Sequence, residues 1–271
     1  MTWFNYLSIL LGLFISVLFC NTADAIVIRH DRDDRRYQEL AKQYSDSVVY
    51  LNGCVGTIID PQWIITARHC FGNYQYKESL VLQRESFAVE HSGEQYPIRK
   101  IFFNPKADMA LIQLKRSINN ASSVSLYSHR DEKGEIVTFV GDGGFGTGKV
   151  GLIKEDKVKR AANNTIEDVD RNWLIFNFDR PSQALELEGI SGPGDSGGPA
   201  LIKKDSKLYI VGISSWQDND GTEGVYDVKE FYARISTNLN WINNTMAQPH
   251  HDVDLRVLCE KFPLNSRCQT P

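Results

Sequence analysis

The feature that most constrains the fold of this 271-residue chain is its texture, in which short apolar runs rich in Val, Ile and Thr alternate with turn signals. Ser47–Leu51, Val55–Ile59 and Trp63–Thr66 read as strands, with Asp60-Pro61 marking the turn between the last two. Ser79–Leu82, Tyr96–Phe103 and Met109–Leu114 continue the pattern. A polar stretch, Ser117–Gly134, interrupts it, and the texture restarts at Glu135–Val140. Val150–Ile153, Trp173–Phe178, Pro199–Ile202, Leu208–Ser214 and Gly224–Val228 complete a second set. Two successive sets of short strands predict an all-β chain of two antiparallel barrels or sandwiches, about 26–130 and 131–246. Ile235, Leu239, Ile242 and Met246 recur at helical spacing, which predicts one amphipathic helix on the second unit. Arg29–Arg36 and the mixed-sign run Lys154–Arg160 read as solvated surface.

The two ends stand apart from this pattern. Leu7–Cys20 is an apolar run shorter than the roughly 20 residues of a membrane-spanning helix but suited to a secretory signal. Ala23-Asp24-Ala25 offers small residues for cleavage before Ile26, so residues 1–25 are expected to be removed and the protein secreted or periplasmic. An uncleaved anchor is the alternative, since no Lys or Arg precedes the apolar run. Loss of Cys20 leaves four cysteines, and an even count in an exported chain reads as disulfides, with Cys54–Cys70 and Cys259–Cys268 as the natural pairs. The second pair would restrain a polar tail, residues 247–271. A net charge of −4 and a pI near 5.9 supply no field to hold nucleic acid or, after signal cleavage, an anionic membrane.

The chemistry-bearing stretch is Gly192-Pro-Gly-Asp-Ser-Gly-Gly-Pro199. A serine hydroxyl is a weak nucleophile at neutral pH, so Ser196 needs a base and a group that orients that base. His69, after the apolar run and beside Cys70, can take and return a proton. Asp108, at the mouth of Met109–Leu114, could fix the tautomer of that imidazole. Each residue alone has a bland reading: a glycine-rich turn, a structural histidine, a solvated strand end. Together, and in this order, they carry the functional one.

In these three stretches the chain resembles the trypsin and chymotrypsin family of serine endopeptidases, over Ile26 to Met246. The resemblance implies two antiparallel barrels with a C-terminal helix, hydrolysis of protein or peptide substrates, and no cofactor or metal. It makes His69 the general base, Asp108 its orienter and Ser196 the nucleophile, with the backbone N–H groups of Gly194 and Ser196 as an oxyanion hole. Cys54–Cys70 matches the disulfide bracketing the family's histidine. A new amino terminus at Ile26 is expected to pair with Asp195, although only Ile26-Val27 of the family's terminal motif is present. The implied specificity pocket comprises Ile190, Ser215, Trp216, Gln217 and Gly224. Ile190 stands where members that cleave after basic residues carry an aspartate, so an apolar or small side chain is the expected occupant. Gln217 replaces a usual glycine, and Gly192 replaces a cysteine that braces the pocket in many relatives. The remaining histidines, His30, His91, His129, His250 and His251, lack metal-ligand spacing.

Overall fold

A computed structural model describes residues 26–248, apart from Asn52 and residues 82–87. The expected signal segment and the Cys259–Cys268 pair lie outside the described residues. Val27–Ile28 (β1) opens the described chain, and the helix Asp34–Ala41 (α1) follows. The first half then contributes β2 (Val48–Leu51), β3 (Cys54–Asp60), β4 (Trp63–Thr66), β5 (Ser79–Val81), β6 (Ala88–His91), β7 (Glu94–Phe103) and β8 (Ala110–Leu114). Beyond it come β9 (Ser125–Leu126), β10 (Ile136–Gly141), β11 (Gly144–Thr147), β12 (Gly151–Glu155), β13 (Arg160–Thr165) and β14 (Asp168–Val169). The chain ends with β15 (Trp173–Asn177), β16 (Gly189–Ile190), β17 (Pro199–Lys204), β18 (Lys207–Asp218), β19 (Lys229–Arg234) and the helix Leu239–Met246 (α2).

The first half closes on itself in the order β2-β3-β4-β8-β7-β6, with β6 returning to β2 through Tyr50 and Glu90. Closure leaves no unpaired edge within the ring, and β5 is appended outside it on β7. Val49, Ile58, Ile64, Val89, Ile98 and Ile112 fill the interior, where β-branched side chains suit a pleated wall. In the second half β13-β10-β17-β18-β19-β15-β14 curl into a half-barrel. The two-barrel expectation is thus met by one closed six-stranded barrel and one curled half-barrel. Val55, Ile65 and Leu111 from the first meet Leu201, Ile210 and Ile213 from the second in a shared core that also takes Ile242 of α2. The chain crosses between the halves where the Val124 amide donates to Ile58 and the Tyr127 amide to Ile210. Among the described residues no helix is long and apolar enough to cross a membrane.

Four sequence readings change. β1 is part of the second half, slotted between β11 and β16 in a small four-stranded sheet. The segment Arg29–Arg36, read as solvated surface, leads into α1, whose first turn is capped by Asp33 and whose Tyr37 and Ala41 are buried. Lys154–Arg160 is not simply solvated, because Arg160 is only 1% exposed. Its guanidinium bonds Asp34 at 2.6 and 2.8 Å and Asp156 at 2.8 Å, and stacks 4.2 Å over the Phe145 ring. Finally, Gly224–Val228 is not a strand; the last strand is β19, a few residues later. Pairing with β18 decides this, since the alternating side chains of Lys229–Arg234 have a buried face to fill.

Arg160 joins α1 to the second half through two carboxylates. Its replacement by methionine keeps the packing volume but leaves Asp34 without its cation and Asp156 with Lys154 alone. We expect Arg160→Met to lower the unfolding free energy by about 3 kcal/mol, measured by urea denaturation at pH 7.

Candidate active site

His69 sits where β4 ends and a 3₁₀ turn begins, held by the Cys54–Cys70 disulfide that ties this turn to β3. Asp108 precedes β8, the neighbour of β4 in the sheet, so the pairing of Thr66 with Ala110 brings the two residues together. Asp108 Oδ1 accepts the His69 backbone N–H at 2.9 Å, and Oδ2 lies 2.6 Å from His69 Nδ1. The Ser215 hydroxyl, from β18, donates to the same Oδ2 at 2.5 Å. Burial pushes the Asp108 carboxyl up, but the His69 ring and its charge, the Ser215 hydroxyl and the His69 amide outweigh burial and hold it below the usual range. An imidazole fixed through Nδ1 in this way keeps Nε2 for proton exchange.

Ser196 lies on the loop between β16 and β17. Its carbonyl accepts the Val55 N–H at 2.8 Å and lies 3.8 Å from Cys70 Sγ, so the loop is pinned against the β3–β4 end of the first barrel. On the other side the Gly197 amide donates to Ser214 at 2.9 Å, next to the Asp108 partner Ser215. Gly197 has φ 82°, and a Cβ there would stand 2.1 Å from Thr66 Oγ1 and 2.4 Å from the Val55 oxygen. Only glycine permits this approach. Gly194 has φ 94°, which turns the peptide after Pro193. Among the described residues, neither the Gly194 nor the Ser196 N–H donates to another protein group.

Asp195 points away from this surface into the second half. It is 1% exposed, and its carboxylate accepts the Gly143 and Gly192 amides, each at 3.0 Å. Burial raises its pKa, the two amides oppose this, and the neighbouring Asp142 and Glu230 raise it further. Ile26 is fully buried just upstream of β1, in the core beside Gly189. Among the described residues Asp195 has no basic side chain as partner.

A cavity of about 380 Å³ opens beside Ser196. One wall is Ser191–Gly194, the other Ser214–Gln217, with Asn219 and Glu223 at the rim. Ser215, Trp216 and Gln217 therefore line it. Ile190 and Gly224 do not: Ile190 is fully buried in a separate cluster with Val27, Phe178, Tyr226 and Val228, and Gly224 packs against Val27 behind the wall. The apolar preference expected from Ile190 therefore loses its premise. Gln217 ties the walls together, its Nε2 donating to the Ser191 oxygen at 2.6 Å. Trp216, 45% exposed, stacks on Phe231 at 4.0 Å between ring centres.

The most buried side chain lining this cavity is Glu230, a residue the sequence reading passed over. Its carboxylate accepts the Ser191 N–H at 3.1 Å. Burial pushes the carboxyl up to about 8, against the opposing effect of the Ser191 hydroxyl and amide and the Gln217 side chain. The signal that could have found it is the alternation in Glu230-Phe-Tyr-Ala-Arg-Ile235, which fits β19 better than Gly224–Val228 does. As for metals, the trio Cys54, His69 and Cys70 is compact, but its sulfurs are bonded to each other and offer no thiolate.

This constellation, a carboxylate-held histidine and a serine loop pinned between two barrels, defines a serine hydrolase of the two-barrel class. The trypsin family model matches residues 33–242, and the chain belongs to that family as a serine endopeptidase. An uncharacterized peptidase of Corynebacterium glutamicum strain R is 28% identical over 210 residues, covering 73% of this chain and 67% of that protein. The mouse hepatocyte growth factor activator serine protease is 24% identical over 237 residues, covering 74% of this chain and 34% of its own length.

Glu230 gives a pH-dependent stability whose sign is opposite to that of an ion-paired carboxylate. A carboxyl raised from its ordinary 4.5 to about 8 favours folding in its protonated form. Its benefit is complete below pH 4.5 and is lost as pH rises to about 8. Glu230→Gln removes this titration, so we expect the variant to gain stability over the parent by a few kcal/mol between pH 5 and pH 9. Thermal unfolding across that range measures it, and Asp195 and Tyr232, the acidic groups nearest Glu230, remain in both proteins.

Proposed function

We propose that the protein is an exported endopeptidase that cleaves peptide bonds through an acyl-enzyme on Ser196. The observation that carries this reading is the Asp108 carboxylate, which receives both hydrogen bonds from His69 and sits beside the loop bearing Ser196. In the reaction His69 Nε2 takes the Ser196 proton as Oγ attacks the substrate carbonyl carbon. The imidazolium that forms is stabilised by Asp108, and the proton then passes to the leaving amine as the carbon–nitrogen bond breaks. Water, activated by the same histidine, attacks the ester and releases the acid. The free N–H groups of Gly194 and Ser196 suit the developing oxyanion.

The activating step we assign to the amino terminus. Signal cleavage before Ile26 would create an ammonium beside the start of β1, and the buried Asp195, held only by neutral amides, is its partner. The parallel pairing of Val27 with Gly146 supports this, because β11 follows directly after Gly143, the Asp195 donor. Export is the condition for this terminus, and the Cys54–Cys70 disulfide is compatible with an oxidising compartment.

Three outcomes test the reading. A serine-directed fluorophosphonate labels the mature protein and not Ser196→Ala, and Asp108→Asn lowers kcat on a labelled peptide by roughly 10⁴-fold. Equal labelling of Ser196→Ala overturns the assignment of the nucleophile. Intact mass of the exported protein corresponds to a chain starting at Ile26, and a chain starting elsewhere removes the proposed ion pair.

A further inference from the structure

The cavity beside Ser196 contains a carboxylate for which the fold supplies no cation. Glu230 reaches it from β19, whose Cα register sets it opposite Gln217 on β18. It is 1% exposed, and every group that supports its charge is a neutral donor from Ser191 or Gln217. Its ionisable neighbours, Asp195 and Tyr232, are themselves acidic. Among the described residues Glu230 enters no ion pair. Of the other buried acids, Glu132 bonds Arg234 at 2.6 and 3.0 Å, whereas Glu188 and Asp195 accept only backbone amides and neither lines this cavity.

Without a counter-ion burial keeps Glu230 in its protonated form, and an apolar side chain filling the cavity would hold it there. A long cationic side chain would do the reverse. Its methylenes would lie between the Ser191–Gly194 and Ser214–Gln217 walls, and its charge would meet Glu230. Gln217, by tying the walls through the Ser191 oxygen, holds the donor Ser191 in place for the carboxylate.

We propose that Glu230 is the specificity-determining residue of this site, and that the substrate residue preceding the cleaved bond is lysine or arginine. This inference rests on the peptidase reading for the cleavage it describes, but the cation site itself can be tested without turnover. The position before the serine loop, Ile190, is turned away, so the countercharge comes from a strand that follows the nucleophile in the chain.

Three measurements decide it. Peptides differing only at the residue before the cut give kcat/KM for lysine, arginine and leucine. The basic substrates are expected to win, and the lysine-to-leucine ratio falls about 100-fold in Glu230→Gln. Glu230→Asp, which keeps the charge but shortens its reach, retains part of that ratio. A preference for leucine in the parent, or a ratio unchanged in Glu230→Gln, overturns the inference. In Ser196→Ala, calorimetry with n-butylamine reads the cation site directly: binding is expected, and is lost in the Ser196→Ala, Glu230→Gln double variant. Amine binding that persists in the double variant, or is absent from Ser196→Ala, also overturns it. Fluorophosphonate labelling separates the two readings. Labelling without Glu230-dependent amine binding defeats this inference alone, whereas Glu230-dependent amine binding without labelling upholds the cation site and defeats the peptidase reading.

Discussion

The Asp108 carboxylate is the interaction on which the geometry of the site depends. It takes two hydrogen bonds from His69 in the first barrel and one from Ser215 in the second half. A single half-buried group therefore registers one half of the chain against the other. The apolar contacts of the shared core supply most of the cohesion, but they are non-directional and tolerate small slips. The carboxylate does not, because three donors fix its position and orientation. Ser196 inherits that precision through Gly197, whose bare Cα lets the loop press against Thr66 and Val55.

Much of this was legible in the sequence because it is local. The strands from Val48 to Thr66 announce themselves by composition, and Ser196, His69 and Asp108 sit in short stretches whose residue types are unusual together. Ser215, Trp216 and Gln217 came from the resemblance to the family's pocket wall, and they line the cavity beside Ser196. What escaped was non-local. Arg160 looks like one more charge in a polar run, and only the approach of α1 reveals that Asp34 covers it. Glu230 escaped because Gly224-Val-Tyr226 offered a tempting register for the last strand, and a slip along the chain changes which side chains face the cavity. Ile190 misled in the opposite sense: its position in the chain is next to the pocket, but β1 covers it and turns the residue into core.

The fold treats its buried acids in two ways. Glu132 is matched by Arg234 within the chain and acts as a fixed strut. Glu188, Asp195 and Glu230 receive only backbone amides and neutral side chains, and the last two lie around the loop Ser191–Ser196. On our reading each of those two awaits a cation that arrives later, one from the processed terminus and one from the substrate. The loop that bears Ser196 is therefore flanked on its inner side by two carboxyl groups whose burial favours the protonated form, and which a nearby cation would help to ionise.

The place of β1 has a consequence for the order of assembly. Its partners are Gly146–Thr147 on one side and Gly189–Ile190 on the other, both far down the chain. The first barrel is complete once β8 has been made, with no part of β1 in it. During synthesis β1 lacks its second partner until the segment around Ile190 emerges, so the earliest-made strand completes its pairing only after most of the chain has been made.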